Sequence, residues 1–292
     1  MKRYSKWIIL TIVLTIIALL GVYFYIKNEV EEKQPYDWKD FNLIAHALGA
    51  RHGSIHTNSK EAFIESYLNG FRVFEVDLFL TSDERLVAIH ENRILRQITN
   101  EREVTSDFIL NHQFFKEKGI TPLSFEDIAQ LMIEHPDIFL ITDTKAIDKE
   151  TVQKQFLYIY ETANRKNPEI LNRIIPQIYH ESMLMYIEEI YSFKEYIWTL
   201  YQTPLISDDA IISFLERNQK ITVLTTPYNS PRLTREFVSR LNELNVLVYI
   251  HTVNNINQVH YFFEMGVWGF FSNFITEDYL KRNELLRYSE YN

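Results

Sequence analysis

Cysteine is absent from all 292 residues, and glycine occurs only seven times. Without thiols there is no disulfide framework, no thiolate metal site and no cysteine to carry a lipid at the N-terminus. Stability must therefore come from a sizeable apolar core. The chain also lacks a glycine-rich phosphate loop, a Gly-x-Ser-x-Gly elbow and any Cys-containing metal motif, which argues against nucleotide-loop, serine-hydrolase and zinc-finger chemistry. Positive charge is short as well, with 30 Lys and Arg against 39 Asp and Glu and a net charge of −9. A surface of that sign repels nucleic acid and anionic headgroups.

Charge of either sign is missing from residues 7–26, an apolar run long enough to cross a bilayer as a helix. Its end, Gly21-Val22-Tyr23-Phe24-Tyr25-Ile26, is bulky and aromatic, unlike the small-residue cleavage site of a secretory signal. The six residues before it hold Lys2, Arg3 and Lys6 and no acid, so the positive-inside rule keeps 1–6 in the cytoplasm. The sequence thus predicts a cytoplasmic 1–6, a transmembrane anchor 7–26, a charged linker 27–39 and an extracellular domain 40–292. Taking the three leading cations from the 30 leaves 27 against 39 acids, a net of −12 outside the membrane.

Beyond the linker, β-prone runs alternate with helical patterns. Strands are predicted over 43–46, 72–77, 86–90, 138–143, 174–178, 196–200, 221–224, 246–251 and 269–271. Helices are predicted over 59–69, 124–135, 149–164, 181–192, 208–217, 231–244, 256–265 and 276–287. Ser124, Ser207 and Pro231 stand at helix starts. Repeats of about 25 to 35 residues suit βα units, and about eight of them point to a (β/α)8 TIM barrel rather than an open sheet. The run 86–90 follows the second strand too closely for a helix to intervene.

Barrels of this kind place their chemistry at the C-terminal ends of the strands. Within Phe74-Glu75-Val76-Asp77-Leu78 the two carboxylates share one strand face and the apolar residues share the other. Adjacent carboxylates taken out of water call for a cation between them. A solvated edge strand is the alternative for these five residues alone. His46, His90, and Asp143 with Lys145 also fall at predicted strand ends, which favours the cation site. Glu75, Asp77 and Asp143 offer hard oxygen ligands suited to Mg²⁺ or Ca²⁺. His46 and His90 can exchange protons near neutral pH, and Lys145 can pair with a phosphate oxygen. The i,i+4 pair His52 and His56 spans a glycine with no adjacent acid and reads as loop.

Several segments resemble the glycerophosphodiester phosphodiesterases, within the barrel phosphodiesterases that include phosphatidylinositol-specific phospholipases C and venom-type phospholipases D. They are Ile44-Ala45-His46, Thr57-Asn58-Ser59-Lys60-Glu61-Ala62-Phe63, Gly70-Phe71-Arg72-Val73-Phe74-Glu75-Val76-Asp77 and Leu86-Val87-Ala88-Ile89-His90. Thr142-Asp143-Thr144-Lys145, Pro176-Gln177-Ile178-Tyr179, Val248 to Asn254 and Gly266 to Asn273 continue the likeness in order. The resemblance implies that His46 and His90 form the acid/base pair assisted by Lys145, and that Glu75, Asp77 and Asp143 hold the metal. It also implies attack by a neighbouring substrate hydroxyl to give a cyclic phosphate. Three departures stand out. Ala47 occupies the place of the family's common Arg, Thr57-Asn58-Ser59 replaces Glu-Asn-Thr, and Asp143 replaces Glu as in the venom-type branch.

Arg51, His52 and His56 are the residues able to inherit the missing arginine's part in phosphate binding. Gln177 and Trp268 are further candidates for substrate contact, Trp268 with Phe270-Phe271 as an apolar wall. The expected protein is a membrane-anchored, outward-facing, metal-dependent phosphodiesterase. Its expected substrates are glycerophosphodiesters, phospholipid headgroups or glycerol-phosphate polymers, with no nucleic-acid partner. The competing expectation is a non-catalytic barrel that binds phosphorylated surface polymer or lipid.

Overall fold

A two-residue period along eight parallel strands decides what faces the centre of the molecule and what faces its helices. The strands are β1 (Leu43–Ala45), β2 (Val73–Leu80), β5 (Phe139–Asp143), β6 (Ile174–Ile178), β7 (Tyr196–Thr199), β8 (Ile221–Pro227), β9 (Leu247–His251) and β10 (Gly269–Ser272). Each pairs with the next, and β1 pairs with both β2 and β10, so the sheet closes into a barrel. The computed structural model describes residues 37–285 except Arg102 and Pro204.

One apolar residue from every strand forms an inner ring: Ile44, Val73, Ile141, Ile175, Ile197, Val223, Tyr249 and Phe271. Trp38 closes the N-terminal end of this ring against Tyr249, with ring centroids 5.8 Å apart. The opposite strand faces, including Phe74, Val76 and Leu78, pack outward into the large core shared with the helices. Trp38 is 2 % exposed, so the barrel begins within the predicted linker.

The helices that follow the eight strands begin at Lys60, Phe125, Lys149, Glu181, Asp208, Arg235, Ile256 and Glu277. Ser59, Ser124, Asp148, Ser207, Thr234 and Thr276 each accept a first-turn N–H, and Ser124 with Asp127 forms a full capping box. Thr234 is the cap where the sequence suggests Pro231, because Pro231 lies in the turn before it.

The predicted strand 86–90 is not part of the barrel. It is β3 (Leu86–Ala88), antiparallel to β2 and paired with the short β4 (Leu123–Ser124). Between β3 and β4 the chain forms a lobe with helices Ser106–Leu110 and Gln113–Lys118 and a small core of Val87, Ile89, Leu95, Val104, Ile109 and Phe115. Among the described residues no helix is long and apolar enough to cross a membrane, and the predicted anchor 7–26 lies outside them.

Candidate active site

Two residues beyond each member of the inner ring, the same inward face carries a polar residue: His46, Glu75, Asp143, Gln177, Thr199, Thr225, His251 and Asn273. The apolar ring is therefore a floor, and one pleat above it every strand turns polar at its C-terminal end. Asp77, one pleat beyond Glu75, rises above that layer and pairs in register with Asp143.

Glu75, Asp77 and Asp143 each present a carboxylate oxygen within 4.8 Å of the others. Glu75 and Asp77 are 2 % and 3 % exposed. Glu75 accepts the Ala47 N–H at 2.6 Å, but burial, then Asp77 and Asp143, push its carboxyl well above the usual range. Burial also pushes Asp77 up, yet Lys145 and then His90 overcome it and hold Asp77 at about 2. The Lys145 ammonium lies 2.6 Å from Asp143 Oδ2 and also donates to Asp77 Oδ1. Its single positive charge is shared by two of the three carboxylates, and the acidic character left in the cluster fits a divalent cation with oxygen ligands.

Supports hold these groups. Asn58, fully buried, donates to Asp77 Oδ2 at 2.8 Å and accepts the Asp77 N–H at 3.0 Å. Tyr179 donates its hydroxyl to Asp143 Oδ1 and accepts the Lys145 N–H at 3.1 Å. Gln177 reaches that hydroxyl at 3.4 Å, which places it beneath the site as a buried support. His46 Nδ1 lies 3.2 Å from Asn273 Oδ1, and the Asn273 N–H is fixed on Asn254 Oδ1 at 2.9 Å. A carbonyl oxygen only accepts, so the His46 proton sits on Nδ1 and leaves the Nε2 lone pair open.

His46, His56 and His90 stand in a row. The His46 and His56 rings are 4.9 Å apart and the His56 and His90 rings 5.2 Å, both pairs edge to face. Burial holds His46 and His90 below their ordinary range, against the pull of Asp77 on each. Burial, then His46 and His90, bring His56 down to about 4. His251 completes the rim; burial, then His46 and Lys145, lower it to about 3, and its Nδ1 lies 3.0 Å from Thr225 Oγ1. Beside the carboxylates a cleft of about 230 Å³ runs between Leu80 and Ile89 of the hairpin and Thr144 and Gln155 after β5.

Of nine non-glycine residues with positive φ among the described residues, six lie in the loops after β1 and β5: Ala47, Leu48, His52, His56, Asn58 and Lys145. Left-handed backbone costs about 1–2 kcal/mol per residue and gathers where a site dictates the geometry.

The six predicted catalytic and metal residues come together at this rim. Arg51 turns toward Glu61, 3.8 Å away, and His52 is exposed in the bridged turn between Arg51 and Ser54. Trp268 stands apart. It precedes β10, donates its indole N–H to the Lys39 carbonyl at 2.8 Å and packs on the floor cluster at the barrel's opposite end. It lies one residue before Gly269, the first residue of the strand, and so at the N-terminal end, away from the reactive rim. Asn58, Tyr179, His251 and Asn273 are site residues that reasoning from sequence alone leaves without roles, although each lies in a segment quoted above for its resemblance.

Residues 48–277 match the glycerophosphoryl diester phosphodiesterase family. A glycerophosphodiester phosphodiesterase of Bacillus altitudinis is 22% identical over 241 residues, covering 76% of this chain and 91% of its own. Among solved structures, a glycerophosphodiester phosphodiesterase of Parabacteroides distasonis superposes with a TM-score of 0.66 at 17% identity, covering 84% of this chain and 97% of its own. A phosphodiesterase of Oleispira antarctica, solved with the product sn-glycerol-3-phosphate, superposes with a TM-score of 0.66 at 13% identity and the same coverage.

Proposed function

The chain belongs to the glycerophosphoryl diester phosphodiesterase family and is a phosphoric diester hydrolase, and from that premise we propose that it is a metal-dependent enzyme tethered to the outer face of a membrane. The carrying observation is the triad of buried Glu75 and Asp77 with half-buried Asp143, an acidic cluster beside two imidazoles at the reactive end of a barrel.

Glu75, Asp77 and Asp143 would hold the divalent cation, which supplies charge neutralisation at the phosphoryl oxygens. Mg²⁺ and Ca²⁺ both suit this donor set. His46 Nε2 takes the proton of the attacking hydroxyl, and Asn273 keeps its other nitrogen protonated. As the new O–P bond forms and the leaving O–P bond breaks, His90 gives a proton to the departing oxygen. Lys145, paired with Asp77 and Asp143, holds its ammonium at the rim where it would meet a phosphate oxygen. Where the attacking group is a neighbouring hydroxyl, the first product is a cyclic phosphate.

The apolar run 7–26 and its basic flank support an anchor with a cytoplasmic 1–6, a linker to about residue 37 and the barrel outside. A tether favours substrates within linker reach, namely phospholipid headgroups and glycerol-phosphate polymers, besides free glycerophosphodiesters. The test is turnover of a phosphodiester panel by the full chain. Activity should vanish with chelator, return with Mg²⁺ or Ca²⁺, and be lost in His46→Ala and His90→Ala. Full activity in either variant would overturn the acid/base assignment, and full activity in chelator would overturn the metal.

A further inference from the structure

Where relatives commonly carry an arginine directly after the first histidine, Ala47 offers no side-chain donor; its amide is taken by Glu75. Of the three residues in the following loop able to replace it, Arg51 leans to Glu61 and His52 points to solvent. His56 alone enters the site. Its ring meets both His46 and His90 edge-on, so a phosphoryl group held between those two imidazoles lies against it. The loop keeps it there with a left-handed backbone, φ +60°. Its Nδ1 is buried with no hydrogen-bond partner among the described residues, and neither has the neighbouring His90 Nδ1, so both rings present an open nitrogen in the site.

We propose that His56 is a third substrate-contacting imidazole, donating an N–H to a non-bridging oxygen of the phosphodiester in the place of the absent arginine. This rests on the phosphodiesterase reading above and deepens it. A neutral imidazole gives one hydrogen bond and no charge, so the anion is bound less tightly than by a guanidinium, and the metal and Lys145 supply the charge. Burial keeps His56 neutral at working pH, which suits that part. The rival account is a packing spacer between two catalytic rings.

His56→Phe separates the two accounts, because it keeps a ring between His46 and His90 and removes the donor. Kinetics with a glycerophosphodiester and calorimetric titration with inorganic phosphate, both on the full chain with Mg²⁺ or Ca²⁺, give the readouts. The expected result is a fall in kcat/KM of about 10²-fold, with phosphate affinity reduced about tenfold and thermal unfolding unchanged. His56→Arg, which restores a donor, should recover most of the phosphate affinity. Wild-type kcat/KM and phosphate affinity in His56→Phe would overturn the proposal and leave a spacer. If the wild type cleaves no phosphodiester, the enzymatic reading falls by itself, and the phosphate titration still decides whether His56 is a donor.

Discussion

At the scale of single residues, the site works because side chains that could titrate or rotate freely are each tied to one partner. Asn273 is the sharpest case. Its oxygen fixes the His46 proton on Nδ1, and its own amide is held by Asn254, so the open Nε2 depends on a residue that touches no substrate. Asn273→Ala should leave the protein folded and lower kcat by about 10²-fold, with KM little changed, because binding groups remain while the base loses its fixed tautomer. Equal falls in kcat and substrate affinity would contradict that positioning role. The acid limb of kcat/KM should also lie below pH 6.5. Burial disfavours the imidazolium form of His46, so acid must go further to silence the base. A limb above pH 6.5 in a pH–rate profile would rule this out.

At the scale of elements, the strands were readable from sequence because each ends in a polar residue two positions past a buried apolar one, and such a period needs no knowledge of partners. The inserted lobe between β3 and β4 was not readable. Its helices are five and six residues long and bury few side chains, too little for a periodic signal. Its attachment is a long-range pair: Asp83, in the β2–β3 turn, accepts the Ser106 N–H at 2.8 Å and the Ser106 hydroxyl at 2.7 Å. Nothing local in either segment announces it. The same limit hid the parts of Asn58 and Asn273, which meet their partners only when loops from different strands converge, and left His56 undistinguished from Arg51 and His52. Asp83→Ala should loosen this lobe by about 1 kcal/mol and speed hydrogen exchange over 104–118, with the barrel strands unaffected. These bonds hold the Asp83 carboxyl at about 2 against its slight burial. Its contribution is present above about pH 4 and lost as pH falls toward 2. Exchange that quickens equally in lobe and barrel would show the contact to be global.

At the scale of the whole molecule, the barrel buries an imidazole, His251, that it holds neutral, and that makes its stability depend on pH. His251 sits between Tyr201 and Phe271, with ring centroids 6.0 and 5.9 Å away, and faces His46 and Lys145. Burial, then those two neighbours, hold it at about 3, whereas in the unfolded chain it titrates near 6.5. Between those two values the unfolded state binds the proton and the folded state does not. Stability therefore rises with pH across that window and falls on acidification. Each pH unit is worth at most about 1.4 kcal/mol for a group fully neutral in one state and fully charged in the other. His251→Gln keeps a polar side chain beside Thr225 and removes the titration. Denaturant unfolding of both proteins from pH 7.5 to 4.5 should then show wild type losing stability relative to the variant, with the two curves parallel above pH 7 and diverging below about 6.5. Curves that stay parallel down to pH 4.5 would mean that His251 is protonated in the folded barrel, and that the rim tolerates a charge facing Lys145.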